Sequence, residues 1–183
     1  MEIEQTGIEG LVILKPKIFR DDRGYFFEIF NLKEFREKVV DINFVQDNES
    51  MSSYGVVRGL HFQRPPYAQA KLVRCVKGAV IDINVDLRRH SPTFGKSISI
   101  ELSEDNKRQL FIPKGFAHGF AVISPTAIFQ YKCDNYYCPE SEGGISLFDK
   151  DLKIDWPFDL SKTIISDKDK KLPPFQKINT PFV

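Results

Sequence analysis

The chain has 183 residues with almost balanced charge, 26 lysines and arginines against 25 aspartates and glutamates. This balance excludes a global field that would attract nucleic acid or an anionic membrane, so any anion site must come from locally placed basic residues. The first residues are polar and acidic, unlike a signal peptide, and no apolar run approaches the ~20 residues of a membrane span. The three cysteines lack the paired spacing of a disulfide framework or a CxxC motif. We therefore expect one soluble domain, 1–183, with free thiols in the cytoplasm.

Alternation of apolar and polar residues predicts strands along most of the chain. In chain order the predicted strands are 11–18, 25–30, 43–48, a hairpin over 58–78, 79–86, 97–102, 108–112, 119–124 and 127–132. The segment 32–40 reads as an amphipathic helix, and the last forty residues lose the alternation, which predicts short helices and loops packed on the body. Many short strands separated by turns predict a mainly β fold, an antiparallel sandwich or barrel of which the jelly roll is one form.

The predicted hairpin carries more charge than a buried pair of strands should. Arg58, His61, Lys71 and Arg74 lie among its apolar residues. An unpaired charge in a packed core would neutralise or unfold the site, so we expect one face of this hairpin to line a wet cavity.

Residues two apart in a strand share a face, which gives several predicted strands a polar or aromatic pair. The pairs are Phe26 with Glu28, Gln46 with Asn48, His61 with Gln63, and Phe129 with Tyr131. Such pairs belong either to solvated outer faces or to a binding interior, and parity alone does not separate the two.

His118 lies in FIPKGFAHGF, whose Pro-x-Gly-x-x-His spacing resembles half of the cupin signature. The other half supplies His-x-His and a glutamate in metal-binding cupins, but here it reads His61-Phe62-Gln63, and His90 lies in a turn. Three scattered histidines make a poor site for a metal that needs three or four ligands. The sequence predicts no metal and no other cofactor.

A set of motifs in one order along the chain carries a family resemblance: FRDDRGYFFE, FVQDN, VRGLHFQ, AKLVRCVKG, SPTFG, PKGFAHGF, YKCDNYY, ESEG, WPF and SDKD. With them the chain resembles the dTDP-4-dehydrorhamnose 3,5-epimerases, a cupin-type family acting on 4-keto sugar nucleotides in deoxysugar biosynthesis. VRGLHFQ together with PKGFAHGF is the specific part. The resemblance implies a cupin-type jelly-roll homodimer with no metal.

The resemblance also implies roles for residues at the matching positions. His61 would be the general base, with Asp169 of SDKD rather than Asp167 as its partner. Lys71 would stabilise an enolate, and Tyr131 would be the general acid on the other face of the sugar. His118 would hold the hexose, and the remaining diphosphate or sugar ligands would be Arg23, Arg58, Gln46, Asn48, Glu142 and Lys168.

At the base end, the resemblance implies that Tyr137 stacks on thymine, with Phe26 and Glu28 helping in their own site or in that of the partner subunit. Parity does not decide between Tyr137 and Tyr136. Rival functions are a mono-epimerase inverting only C3 or C5, a keto-isomerase, and a non-catalytic sugar-binding cupin. The keto-isomerase is disfavoured by VRGLHFQ and SDKD, and simple binding would need no acid and base on opposite faces.

Overall fold

The structure is a computed structural model that describes residues 1–182. Its strands are β1 (Glu2–Gln5), β2 (Val12–Lys15), β3 (Phe19–Asp21), β4 (Gly24–Phe26), β5 (Gln46–Ser53), β6 (Val57–Gln63), β7 (Lys71–Lys77), β8 (Ala79–Asp86), β9 (Ser97–Ser103), β10 (Gln109–Ile112), β11 (Phe116–Val122), β12 (Thr126–Cys133) and β13 (Glu142–Gly144). The α-helix α1 spans Leu32–Lys38, and 3₁₀ helices span Pro139–Ser141, Leu160–Lys162, Asp169–Lys171 and Phe175–Lys177. Within this described part, no helix has the length and apolar character needed to cross a bilayer.

Two antiparallel sheets form a sandwich, which confirms the predicted mainly β class. One sheet has the order β1-β2-β10-β7-β12-β5 and the other β13-β6-β11-β8-β9, while β3 and β4 make a separate two-stranded ribbon. Strands that follow one another in the chain repeatedly lie in different sheets, as in a jelly roll. This connectivity brings side chains from distant parts of the sequence into one interior.

Three apolar clusters hold the layers together. The central one joins the inner faces of both sheets, with Val73 and Phe129 from the six-stranded sheet and Phe120 from the five-stranded sheet. A second covers the outer face of the five-stranded sheet with the C-terminal segment, and a third packs α1 on the outer face of the six-stranded sheet. The central cluster therefore fills part of the space between the sheets with apolar side chains.

The helix predicted over 32–40 is confirmed as α1. Its N-cap Asn31 accepts a hydrogen bond from the Glu34 amide at 3.2 Å, satisfying one of the amides that a helix start leaves free. Phe35 is fully buried against Phe30 and Phe44. Because Phe30 turns into this cluster, the strand predicted over 25–30 is wrong beyond Phe26, where β4 ends.

The prediction of a paired hairpin over 58–78 is also wrong. β6 pairs with β11 and β13, whereas β7 pairs with β10 and β12 in the other sheet. The seven residues 64–70, which include two prolines, form the crossover between the sheets. The two charged strands therefore face each other across the interior instead of lying side by side.

Candidate active site

A cavity of about 480 Å³ opens between the two sheets. The six-stranded sheet contributes Ser50, Lys71, Phe129 and Tyr131. The five-stranded sheet, with the residue just before β6, contributes Val56, Val57, Arg58, His61, His118, Gly119 and Phe120. The C-terminal segment contributes Ile164, Ile165, Ser166, Lys168 and Asp169. The predicted wet cavity thus lies inside the sandwich. It gathers residues more than a hundred positions apart in the chain.

His61 and Asp169 form a close pair at this cavity. The His61 Nε2 atom lies 2.7 Å from Asp169 Oδ1, and the carboxylate side chain is 5% exposed against 31% for the imidazole. The Gly59 amide donates to Asp169 Oδ2 at 3.3 Å, and the Asp169 amide donates to Ser166 Oγ at 3.1 Å. The carboxylate is thus fixed from two sides, and the imidazole is the partner that reaches the open space.

The charge state of Asp169 follows from opposing effects. Burial raises the pKa of this carboxyl, but the hydrogen bond and charge of His61 and the Gly59 amide outweigh it and hold the pKa below its usual value. Asp167, the other aspartate of SDKD, is exposed and pairs with Lys170 instead. The structure therefore brings Asp169, and not Asp167, to His61.

Lys71 enters the cavity from the start of β7, in the sheet opposite His61. Burial lowers the pKa of Lys71, while nearby negative groups including Asp82 and Glu142 oppose the shift. Its ammonium nitrogen lies 5.8 Å from the centre of the Tyr131 ring. The amino group of Lys71 therefore lies beside the Tyr131 ring, where burial disfavours its charged form.

Tyr131 lies on β12, where it shares the inner face with Phe129 as its parity predicted. Burial raises the pKa of its phenol, and the positive charge of Arg58 opposes this. The hydroxyl is consequently a proton donor at neutral pH. It enters the cavity from the sheet opposite the one that carries His61.

Asp82 and Asn84 belong to the site surroundings, and the sequence reasoning missed them. His118 Nε2 lies 2.8 Å from Asp82 Oδ2, and the Asn84 amide donates to Asp82 Oδ1 at 2.7 Å. Both β8 side chains are fully buried, although their alternation resembles that of a solvated face. Their shared parity on β8 shows that they lie on one face, but only the pairing of β8 with β11 places that face beside His118.

The mouth of the cavity carries polar groups connected to one another. Lys168 Nζ lies 2.5 Å from Glu142 Oε2, which also accepts a hydrogen bond from the Tyr137 hydroxyl at 2.9 Å. The Tyr137 amide in turn donates to Gln46 Oε1 at 2.9 Å. Arg58 lines the cavity, with its Nε donating to Ser52 Oγ at 3.1 Å.

The polar and aromatic pairs predicted to share a strand face lie at different places in the structure, and not all of them line the cavity. Gln46 and Asn48 lie together at the edge of the six-stranded sheet, joined by a 3.1 Å hydrogen bond, but neither lines the cavity. Gln63 is buried and bonds backbone groups, including the Tyr67 carbonyl at 2.7 Å and the Cys138 amide at 2.7 Å, so it anchors loops. Tyr136 is exposed and only its carbonyl meets Gln63.

Arg23, Phe26 and Glu28 do not join the cavity of their own chain. Arg23 is 89% exposed and pairs with Asp21 in the β3–β4 ribbon, and Phe26 is 71% exposed. Glu28 follows the ribbon and is also exposed. Three of the predicted ligands thus lie on a projecting arm, with none of them among the cavity residues.

The donor set offers no first-row metal site within residues 1–182. No group of three or more histidine, cysteine, aspartate or glutamate side chains is arranged there to hold an ion. His61 and His118 are each bonded to a separate carboxylate instead. Each of the two histidines therefore has its Nε2 atom bonded to a carboxylate.

Comparisons with known proteins agree with this geometry. The family model described as dTDP-4-dehydrorhamnose 3,5-epimerase matches residues 5–177. An enzyme of that name from Escherichia coli (strain K12) is 54% identical over 94% of this chain and 93% of its own. The crystal structure of such an epimerase from Elizabethkingia anophelis NUHP1 superposes with a TM-score of 0.94 at 50% identity, covering 98% of each chain.

A Legionella pneumophila dTDP-6-deoxy-D-glucose-3,5-epimerase, solved in complex with dTDP-4-keto-L-rhamnose, has a TM-score of 0.94 at 46% identity, covering 100% of this chain and 96% of its own. These matches span nearly the whole sequence, including all the motifs that form the cavity. The chain belongs to the dTDP-4-dehydrorhamnose 3,5-epimerase family.

Proposed function

We propose that this chain converts dTDP-4-dehydro-6-deoxy-D-glucose into dTDP-4-dehydro-L-rhamnose, inverting C3 and C5 in dTDP-L-rhamnose biosynthesis. One observation carries the proposal: His61 and Tyr131 reach the same cavity from opposite sheets. A base and an acid on opposite sides of a bound sugar are what an inversion by proton transfer requires.

The chemistry follows from the C4 ketone of the substrate. The hydrogens at C3 and C5 are both alpha to this carbonyl, so removing either one gives an enolate. Returning a proton to the opposite face then inverts the carbon. Only protons move and no electrons are gained or lost, so the reaction needs no redox cofactor.

His61 is the proposed base. Its Nε2 bonds Asp169, which fixes the ring and would stabilise the imidazolium formed when the other nitrogen, Nδ1, takes a proton from carbon. Such a positioned acid–base pair contributes roughly 10²–10⁴-fold to the rate.

Lys71 is proposed to stabilise the enolate oxygen. An ammonium held in a buried site costs no reorganisation when the negative charge develops, so it is worth more there than in water. The Lys71 contact with the Tyr131 ring supports a C4 oxygen close to both groups. On protonation by Tyr131, the enolate collapses back to the ketone.

The nucleotide would lie along the polar mouth of the cavity. Arg58 and Lys168 suit the diphosphate, since guanidinium and ammonium groups are the usual partners of phosphate oxygens. Tyr137, held by Glu142 and Gln46, offers an exposed ring for stacking on thymine. His118 is proposed to hold the hexose, and Gln46 and Asn48 to order the loop at the base end.

We further infer a homodimer, in which the arm of one subunit reaches the cavity of the other. This assembly would bring Arg23, Phe26 and Glu28 to a nucleotide that they do not reach within one chain. A mixture of His61→Ala and Phe26→Ala chains tests it, because only an exchanged arm gives mixed dimers one site with both groups intact. Activity above that of either variant alone is expected, and no recovery would refute the exchange.

The single domain 1–183 and the cytoplasmic location remain proposals that rest on the sequence. The two sheets share one central cluster, which supports a single domain. The cysteines of the described residues are all unpaired, which suits a reducing compartment.

The reaction itself is tested by NMR of dTDP-4-keto-6-deoxyglucose in heavy water with this protein alone. We expect deuterium at both C3 and C5, with the L-configured product formed at the same time. Label at one carbon only would identify a mono-epimerase instead. Binding without exchange at either carbon would identify a sugar-binding cupin.

A further inference from the structure

His118 stands at the end of a buried chain of hydrogen bonds that leads away from the cavity. Its Nε2 lies 2.8 Å from Asp82, and Asp82 accepts from the Asn84 amide at 2.7 Å. Asp82 and Asn84 are 0% exposed, and His118 is 8% exposed. A solvent-free chain of this kind fixes the geometry of the one ring that touches the open space.

The direction of each hydrogen bond follows from the chemistry of the carboxylate. An ionised carboxylate only accepts, so the nitrogen of the Asn84 amide must face it, and Nε2 of His118 must carry a hydrogen. Among the described residues, the His118 Nδ1 atom has no protein partner in hydrogen-bond range. In the neutral ring Nδ1 is then an acceptor, available to a ligand hydroxyl in the cavity.

The side-chain oxygen of Asn84 has no hydrogen-bond partner among the described residues in this arrangement. Within residues 1–182 its Oδ1 is buried without a partner, which is uncommon for a side-chain amide in a folded protein. Lys71 lies near Asp82 on the other sheet, and the charge of Asp82 opposes the lowering of the Lys71 pKa by burial. The Asp82 side chain has two hydrogen-bonding partners: His118 lines the cavity, and Asn84 does not.

We propose that Asn84 is a positioning residue that sets the tautomer of His118 through Asp82. By donating to Oδ1 it holds the Asp82 carboxylate with Oδ2 against Nε2, which keeps the ring hydrogen on Nε2 and leaves an acceptor nitrogen for the cavity. The ligand group that this nitrogen recognises is a hydroxyl of the hexose, a step that rests on the proposed function. Without the amide donor, the carboxylate is free to turn away from Nε2. The neutral ring can then exchange its one hydrogen with solvent and carry it on Nδ1 instead, so that Nδ1 becomes a donor.

The tautomer is measured by ¹⁵N NMR of histidine-labelled protein without substrate, with His61 and His90 assigned by their own variants. We expect neutral, Nε2-protonated His118 in the unmodified chain. In Asn84→Leu and in the smaller Asn84→Ala, the equilibrium should shift towards the Nδ1-protonated form by roughly tenfold or more, since hydrogen bonds to charged groups are the stronger ones. Ser97→Ala, which removes a bond to the Leu152 carbonyl in the same sheet, is the control and should leave it unchanged.

Kinetics give the second readout. KM should rise about tenfold in the Asn84 variants while kcat changes far less, as for a lost substrate hydrogen bond. An Nδ1-protonated His118 in the unmodified chain would overturn the proposal even if neither variant folds. An unchanged tautomer in a folded Asn84 variant would also overturn it. Absence of epimerase activity in the unmodified chain would refute the proposed function but not the tautomer assignment.

Discussion

Replacement of Tyr131 by phenylalanine should separate proton removal from inversion. The change deletes one hydroxyl and keeps the ring, so the packing against Phe129 and the Lys71 contact with the ring remain. His61 stands on the opposite sheet and keeps its bond to Asp169. The enolate can therefore still form, but its far face has lost the proposed donor.

The expected size of the effect follows from this arrangement. Burial raises the pKa of the Tyr131 phenol, so the native group is a protonated acid throughout the neutral range. Losing a positioned proton donor should slow inversion by about 10²–10⁴-fold. Entry of solvent deuterium should fall much less, because His61 and Lys71 still form the enolate. The label should then return mainly with retained configuration.

The assay is NMR in heavy water, which follows deuterium incorporation and product configuration in one sample. Tyr54→Phe is the matched control, because Tyr54 is exposed and does not line the cavity, so the loss of its hydroxyl should not affect inversion. An equal loss of exchange and inversion in Tyr131→Phe would mean that Tyr131 acts before the enolate forms. No loss of either would mean that water or Tyr137 donates the proton.

Three further outcomes are expected. His61→Ala should abolish deuterium exchange at both carbons while circular dichroism shows an intact fold. The control His90→Ala, in an exposed turn, should leave exchange unchanged. Near-normal exchange at C3 or C5 in His61→Ala would point to another base. Dialysis against a chelator should leave activity intact, and loss restored by one divalent ion would contradict the mechanism. Because burial lowers the pKa of Lys71, its charge should be lost as pH rises through a value below that of an exposed lysine. kcat should fall over this alkaline pH range. If Lys71→Arg leaves the midpoint of that fall in the pH profile of kcat unchanged, the titrating group is not Lys71.

Much of the fold was accessible from alternation alone. The pattern AVIDINVD predicted β8 over 79–86, and the helix at 32–40 was right apart from its last two residues. Alternation tells which residues share a face but not which strand is the neighbour. For this reason the sequence predicts a hairpin over 58–78, although the strands of this segment lie in opposite sheets.

The candidate site divides in a similar way. The motifs gave His61, Lys71, Tyr131 and Asp169, and the structure gathers these four at one cavity. Asp82 was missed because a polar residue on a half-apolar strand has the same pattern whether it faces solvent or a polar interior. Only the three-dimensional pairing with His118 separates the two cases.

The error about the hairpin bears directly on the proposed mechanism. Two adjacent strands of one sheet would present His61 and Lys71 from the same side of a ligand, whereas the crossover over 64–70 sets them on opposing sheets. In the proposed mechanism the base then acts on one face of the sugar, while Lys71 and the Tyr131 phenol, which lie close together, act from the other. Inversion requires this opposition, and binding alone does not. In the proposed mechanism, the jelly-roll crossover is therefore the feature that places base and acid on opposite sides of the sugar.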